Sequence, residues 1–486
     1  MLKLLRDPVL AREMGEKGRA RVSGRHTMKG MIENYASAIR GAVENRGRRG
    51  MPKPSGSQRK LFLNATYLFG GKAAAGGFAA LQTVIMARIL GVADFGLLQL
   101  VIAYIAMMNQ LFDVRVWETA VKYIGTYWSE HDADKTRAMI KLSYFLDVGS
   151  GAVSFVIAVL TAKLISDYVL HEPGAYVYIW VFALSLFIET AKLTSDAILR
   201  VFDKFRIIAI VNTLENFVQL ILVSAFLFYG MGIMGALYGL VISKFVTVII
   251  RLTFVDRTLK EKGLRNWFMS DLRLIRSEWK EIGWFLGNTS LMATLKTGSD
   301  KYLGMMLLGY LAGNEAVGLY RVANSASGIV NRIVDTLNEA IFPELVRFTS
   351  ASAISEFKKY IKASTKNLLK IIVPVTVVIV VLAEPIVKYI FGEEYLPAVN
   401  TLRILAVAVL ITRFTYWISP GLLALGRSGV RTVFSIFTTV VYLGLMLVLV
   451  PPYSYEGAAL AFLGFAVIKS AMAYGIFGYY IKKDHG

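Results

Sequence analysis

Residues 89–113 read ILGVADFGLLQLVIAYIAMMNQLFD, and residues 307–335 read LLGYLAGNEAVGLYRVANSASGIVNRIVD. Both run from a Gly-containing, acidic turn into a long apolar stretch, and Gly96 in the first matches Gly318 in the second. Further on, LRVFDKFRIIAIVNT echoes LALGRSGVRTVFSIF, with Lys204 against Arg427, and YGMGIMGALYGLV echoes PPYSYEGAALAFL, with Gly235 against Gly457. The offsets are 318 − 96 = 222, 427 − 204 = 223 and 457 − 235 = 222. Three anchors at one spacing mark a duplicated chain. Parallel repeats of this kind build transporters in which two bundles meet at a cavity and rock against each other.

The composition fits a membrane setting. Of 486 residues 55% are hydrophobic and 18% charged, whereas soluble domains carry roughly 25% charged residues. Twelve apolar segments follow residue 60, near 61–88, 95–114, 139–163, 176–199, 207–229, 232–253, 281–308, 316–341, 368–390, 397–413, 430–450 and 457–481. The expected fold is therefore an all-α polytopic membrane protein of about twelve transmembrane helices, in two six-helix repeats around a central cavity. With no Cys, a disulfide framework, a thiolate metal site and a Cys nucleophile are excluded, and the four singly scattered His argue against a His metal site. No cofactor and no catalytic residue is expected.

Loop charge sets the orientation. One set of loops holds Arg200, Lys204, Arg206, Arg257, Lys260, Lys262, Arg265, Arg273, Arg276, Arg347, Lys358, Lys359, Lys362, Lys366 and Arg427. The other set, GVADFG, DYVLHEPGAY, YGMGIMG, YLAGNEAVG, FGEEYLP and PPYSYEG, contains no Lys or Arg. Both termini are expected in the cytoplasm, the chain crossing the inner or plasma membrane many times. Residues 1–60 carry fifteen basic against five acidic side chains, read as a segment held inside by its charge, with no nucleic-acid partner. The expected domains are a basic helical extension at 1–50, a linker at 51–60, a six-helix bundle at 61–253, a basic cytoplasmic linker at 254–280 and a second bundle at 281–486.

Within the extension, LLRDPVLAREMGEKGRARV (4–22) resembles the C-terminal tail of group-1 GT-B glycosyltransferases. The rest of that fold and its nucleotide site are missing, so the segment reads as a remnant, with Met51 a candidate start. Residues 57–486 resemble polysaccharide-export flippases of the O-antigen type, in the multidrug/oligosaccharidyl-lipid/polysaccharide exporter superfamily. The matching stretches are ARILGVADFGLLQLV (87–101), GSDKYLGMMLLGYLAGNEAVGLYRVA (298–323) and EAIFPELVR (339–347), with Asp300-Lys301, the VGLY at 317–320 and Pro343 in place. The resemblance implies a flippase that moves a polyprenyl-diphosphate-linked oligosaccharide across the membrane and makes or breaks no bond. Its partners would be the lipid-linked oligosaccharide, membrane lipids, and glycosyltransferases and polymerase of the same pathway. A cation-coupled drug exporter of the same superfamily is the main alternative, a membrane glycosyltransferase or polymerase component a lesser one, and a non-transporting scaffold a third.

Charges inside the bilayer are costly and mark partners or wet cavities. Lys72 and Lys296 each fall eight residues after an Asn, Asn64 and Asn288, at matching places in the repeat. They, with Arg321 and Lys244, are the candidate cations for the diphosphate that the resemblance implies. Asp147 and Glu215 are candidate coupling or structural carboxylates, and Asp300 with Lys301 a candidate structural pair. Lys192 follows Glu189 by three residues, a spacing that predicts an ion pair along one helix. Arg88, Arg115, Arg332 and Arg403 near span ends read as snorkelling. Tyr104, Trp128, Tyr168, Trp180, Trp267, Trp279, Trp284 and Trp417 read as an interfacial belt.

Overall fold

The computed structural model describes residues 56–297, 302–350, 354–424 and 427–485, and among these the regular elements are all helical. In hydrocarbon no water satisfies a free backbone N–H or C=O, so long apolar segments close their hydrogen bonds internally as helices. The first half contains α1 (Gly56–Phe112), α2 (Val116–Ser129), α3 (Ala133–Tyr168), α4 (Tyr176–Val201), α5 (Phe205–Phe228) and α6 (Gly232–Glu261). Two 3-10 turns, Trp267–Met269 and Leu272–Glu278, lead to the second half. That half contains α7 (Trp279–Thr297), α8 (Tyr302–Ser350), α9 (Ile354–Val381), α10 (Ala398–Arg413), α11 (Ile418–Ala424) and α12 (Ser428–His485). Residues 1–55, with the glycosyltransferase-like segment and Met51, lie outside the described residues.

Three helices are interrupted at single residues: α1 at Gly91, α8 at Gly313 and α12 at Ser454. Gly91 has φ 74° and ψ 176°, and Gly313 has φ 82° and ψ 179°. That conformation is nearly reserved for glycine, which has no Cβ to clash. The two lie at the repeat spacing, 313 − 91 = 222. Divided at the three kinks, with α2 continuing α1, α11 continuing α10, and α7 counted with the first arm of α8, the described helices make six crossings per half. Among the described residues eight helical stretches are long and apolar enough to cross a bilayer, two of them, Gly70–Phe112 and Gly429–Tyr479, spanning a kink.

Other repeat anchors also play equal parts in both halves. The Lys204 amide closes the end of α4 on the Leu199 carbonyl at 2.8 Å, and the Arg427 amide does the same on Leu422 at 2.9 Å. Gly235 packs against Phe226 of the preceding helix, and Gly457 against Leu449 of the preceding arm.

The halves meet where α1 and α8 emerge from their glycine kinks. A methyl group built on Gly96 would lie 1.8 Å from the Asn314 carbonyl oxygen, and one on Gly318 would lie 2.2 Å from that of Val92. Phe95, Leu98, Val317 and Leu319 are buried around this contact. Arg88 donates to the Ile390 carbonyl at 2.7 Å and also to that of Tyr389, and the Tyr395 hydroxyl donates to the Ala87 carbonyl at 2.9 Å. Arg88 thus ties α1 to the second half instead of snorkelling alone. This end of the bundle, opposite the basic linker, is sealed.

At the other end the linker is fastened to the first half. Glu278 accepts from Lys135 at 2.9 Å and from the Tyr127 hydroxyl, Glu281 accepts from Tyr123 at 2.9 Å, and Trp267 stacks on Tyr144 with ring centroids 5.0 Å apart. Partial burial works to raise the Glu278 pKa, but the Tyr127 and Lys135 hydrogen bonds outweigh it and hold the carboxyl below its ordinary range. A depressed carboxylate contributes stability that is complete above its unfolded pKa and is lost as pH falls through the folded value. Deuterium uptake over residues 262–278, corrected for intrinsic rates, is accordingly expected to stay flat from neutral pH to about pH 5 and to rise below it. Glu278→Gln should show the raised uptake even at pH 7; equal uptake in variant and wild type there would remove the latch.

Two members of the expected aromatic belt belong to the core. Tyr104 is 1% exposed and hydrogen-bonds Thr161, and Trp417 is 2% exposed. Tyr104 sits in α1 and Trp417 in the turn between α10 and α11, both against other helices, so the packed interior takes them instead of the headgroup layer.

Candidate functional site

α1 stops at Phe112 without a glycine or proline to stop it. Asp113 does so with its side chain, which accepts the Arg115 amide at 2.8 Å. A short carboxylate that bonds nearby backbone competes with the helical ladder. Arg115 is left with φ 51°, in the left-handed region, before the chain re-enters helix at Val116. The freed Val114 carbonyl is taken by the Ser290 hydroxyl of α7 at 2.7 Å. In the second half the equivalent stretch, ending at Asp335, stays within continuous α8. The break is therefore an asymmetry laid over a duplicated fold. Broken helices at membrane depth line binding cavities in transporters, because only there can irregular backbone be satisfied.

The break borders a cavity of about 410 Å³. Asn109, Gln110, Asp113 and Arg115 line it from the break, Ser185 and Glu189 from α4, Lys244 from α6 and Tyr302 from α8 of the other half. Ile102, Ile105, Ala106 and Phe182 form its apolar wall. Lys244 contacts Glu189 directly, and Asn109 donates to the second Glu189 oxygen at 3.3 Å. Arg115 pairs with Glu118 at 2.9 Å. The Gln110 amide nitrogen, the Ser185 hydroxyl and the Arg115 Nε are buried without a hydrogen-bond partner among the described residues.

A second charge network lies off the cavity wall, between α4, α5 and α6. Lys192 pairs with Glu215 at 2.9 Å, and Arg251 reaches Asp196 at 2.9 Å, the Asn212 side-chain oxygen at 2.8 Å and Glu215 at 3.7 Å. The expected pairing of Glu189 with Lys192 gives way to two cross-helix pairs, because α5 and α6 offer better-placed partners than the next turn of α4. Glu215 is thus an ion-paired carboxylate. Asp147, 2% exposed, accepts the backbone amide of Thr194 at 3.1 Å and the Thr194 hydroxyl.

Of the expected site residues, Lys244 lies in the cavity wall. Arg321 stands within electrostatic reach of the wall residue Tyr302, and its Nε is buried without a hydrogen-bond partner among the described residues. Lys72 is exposed on α1 and is not among the residues that line this cavity. Lys296 belongs to α7, but its side chain lies outside what the structure describes, as do Asp300 and Lys301 entirely. Arg403 reaches back to the Val380 carbonyl at 3.3 Å. Arg251, Asn109, Gln110 and Ser185 carried no expectation. Arg251 had a readable signal, an arginine at the end of an apolar run; the three neutral polar residues had none.

Residues 85–400 match the model of the family described as polysaccharide biosynthesis protein. A Shigella flexneri protein described as an O-antigen transporter is 22% identical over 382 residues, 77% of this chain and 88% of that protein. Among solved structures, a multidrug resistance MATE family transporter of the MOP superfamily in its inward-facing conformation superposes with a TM-score of 0.70 at 17% identity, covering 85% of this chain and 96% of that one. The lipid II flippase MurJ, in an inward closed conformation, superposes with a TM-score of 0.64 at 14% identity, covering 86% of this chain and 87% of that one. The two structures are alike with this chain in fold, and the family model spans well over half its length: the chain belongs to the polysaccharide biosynthesis protein family.

Proposed function

We propose that this protein is a flippase that carries a lipid-linked oligosaccharide, joined to its lipid by a diphosphate, across the cytoplasmic membrane for surface polysaccharide or glycan assembly. The observation that carries the reading is the charged cavity beside the broken helix. A saccharide head is too polar to cross hydrocarbon, and a phosphate needs a cation; Lys244 supplies the cation and Asn109, Gln110 and Ser185 supply hydrogen bonds. The lipid would remain outside the bundle while the head passes between the halves. Family membership and the O-antigen transporter relative support the substrate class. Loop charge supports placing both termini in the cytoplasm, so the sealed end faces outward and the cavity is loaded from inside. Lys72 and Lys296 are proposed as further cations that draw the anionic head toward the halves, and Asp147 as a carboxylate able to take up a coupling proton. No bond is formed or broken in this cycle.

The test is transfer between leaflets of proteoliposomes of a fluorescent prenyl-diphosphate oligosaccharide. Wild type should move it, and Lys244→Ala should slow it at least about tenfold, the loss of roughly one charge-assisted contact. Lys72→Ala with Lys296→Ala should raise the substrate concentration needed and leave the maximal rate within about twofold, since those cations attract without holding. A protein that never moves the glycan but moves organic cations under a proton gradient would be a drug exporter instead.

A further inference from the structure

The cavity cation is already occupied. Lys244 and Glu189 both line the void and touch each other, whereas the other intramembrane pairs on α4, α5 and α6 lie off its wall. With Asp113 and Arg115 also on the wall, the two acidic and two basic side chains there cancel. A neutral cavity would have no net charge with which to bind a phosphate.

The same wall holds the means of releasing Lys244. Ser185 lies four residues before Glu189 on α4, a spacing that puts both on one helical face about 5–6 Å apart at Cβ. Ser185 is 1% exposed, lines the cavity, and its hydroxyl has no partner among the described residues. Gln110 presents an amide nitrogen in the same condition. An unsatisfied buried donor costs about 1–3 kcal/mol, so these two and the Arg115 Nε, three on one small wall, call for an acceptor that visits them. Of the two carboxylates on the wall, Asp113 is engaged by the Arg115 amide, which leaves Glu189, one turn from Ser185, as the acceptor to visit them. Asn109 already holds one of its oxygens, at 3.3 Å, and would serve as a pivot.

We propose that Glu189 is a displaceable counter-ion with two positions: on Lys244 in the empty cavity, and on Ser185 and Gln110 once a phosphate of the substrate has taken Lys244. This rests on the flippase reading above. The exchange keeps Lys244 paired and Glu189 hydrogen-bonded at each stage, so the head group can be bound without Lys244 ever standing bare. It can also be released, because the returning carboxylate expels it. The groups facing Glu189 are Lys244 of α6, Lys192 of its own helix, Asn109 of α1 and Tyr302 of α8.

The experiment measures farnesyl diphosphate binding to the purified full chain in detergent by calorimetry, alongside flipping in liposomes. Glu189→Gln should bind the probe at least about tenfold more tightly than wild type, because the competitor is gone, yet flip the glycan more slowly, because release is lost. In a Lys244→Gln background the Glu189→Gln gain should vanish. Ser185→Ala combined with Gln110→Leu should weaken the probe severalfold when Glu189 is present and leave it unchanged in the Glu189→Gln background; equal weakening in both would mean that the two side chains only touch the probe directly, and overturns the exchange. Unchanged or weaker binding in Glu189→Gln, or no effect of the Ser185/Gln110 variant, overturns the exchange even if wild type flips the glycan. Absence of probe binding in all forms overturns it as well. Tight probe binding in Glu189→Gln with no glycan transfer by wild type would retain the exchange and discard the flippase.

Discussion

Gly96→Val is expected to break the seal between the halves and abolish most transport. The branched side chain would begin at an atom 1.8 Å from the Asn314 carbonyl oxygen, and that oxygen belongs to helix backbone that cannot step aside. Overpacking costs about 1–3 kcal/mol in ordinary cores, and backbone contacts relax less than side chains do. Since about 1.4 kcal/mol is tenfold in an equilibrium, conformations with this end parted should gain at least about tenfold in population. Gly318→Val should do the same through Val92. The chain has no cysteine, so Gln99→Cys, one turn beyond Gly96, would be its sole thiol. A membrane-impermeant maleimide added outside should label it slowly in the otherwise native chain and at least about tenfold faster beside Gly96→Val. Equal labelling rates, with transport intact, would mean that the glycine contact is not the seal.

Arg251→Met is expected to be the most destabilising single change in the first half. Arg251 is 1% exposed and satisfies Asp196, Asn212 and, at 3.7 Å, Glu215. Removing one partner of a buried ion pair costs about 3–5 kcal/mol, because the remaining charge stays buried without compensation. Lys192 still holds Glu215, so the loss should fall on Asp196. Thermal unfolding in detergent, followed by tryptophan fluorescence, should show a drop of several degrees for Arg251→Met. Lys204→Ala, which breaks the exposed pair with Glu261, should shift the midpoint by far less. Adding Asp196→Leu to Arg251→Met should recover much of the loss. If Arg251→Met melts with wild type, the network is not holding the half together.

The duplication was legible because its anchors are glycines and helix ends, where backbone geometry leaves few residue choices. Gly91 and Gly313 share both a spacing and a pair of dihedral angles. Membrane crossing was legible for a different reason: apolar length is a scalar property of the chain. The helix break at Asp113 escaped, since Asp-Val-Arg carries no breaker and its cause is a hydrogen bond that any helical Asp could in principle make. Ion pairs across helices escaped too. Glu189 and Lys192 stand three apart in sequence, but Lys244, 55 residues away from Glu189, reaches it directly. Sequence spacing ranks partners on one helix, and only the packing of α4 against α6 reveals the better one. Cavity-facing neutral donors such as Gln110 and Ser185 look like any other polar residue until their lack of a partner is seen.

The seal has one property that the cavity lacks. Asn314 presses on Gly96 and Val92 presses on Gly318, and these residues pair off across the duplication, since 314 − 92 = 222 and 318 − 96 = 222. A contact in which one position touches a second, and the second's copy touches the first's copy, is the mark of an isologous dimer interface. Two identical six-helix chains related by a two-fold axis along the membrane normal would make this same contact. The duplicated chain therefore makes within itself, at its two glycine kinks, the contact that such a homodimer interface would make, with both glycines in register. Around the helix break the two-fold relation is absent: the first half is interrupted at Asp113, and the second runs on as helix through Asp335.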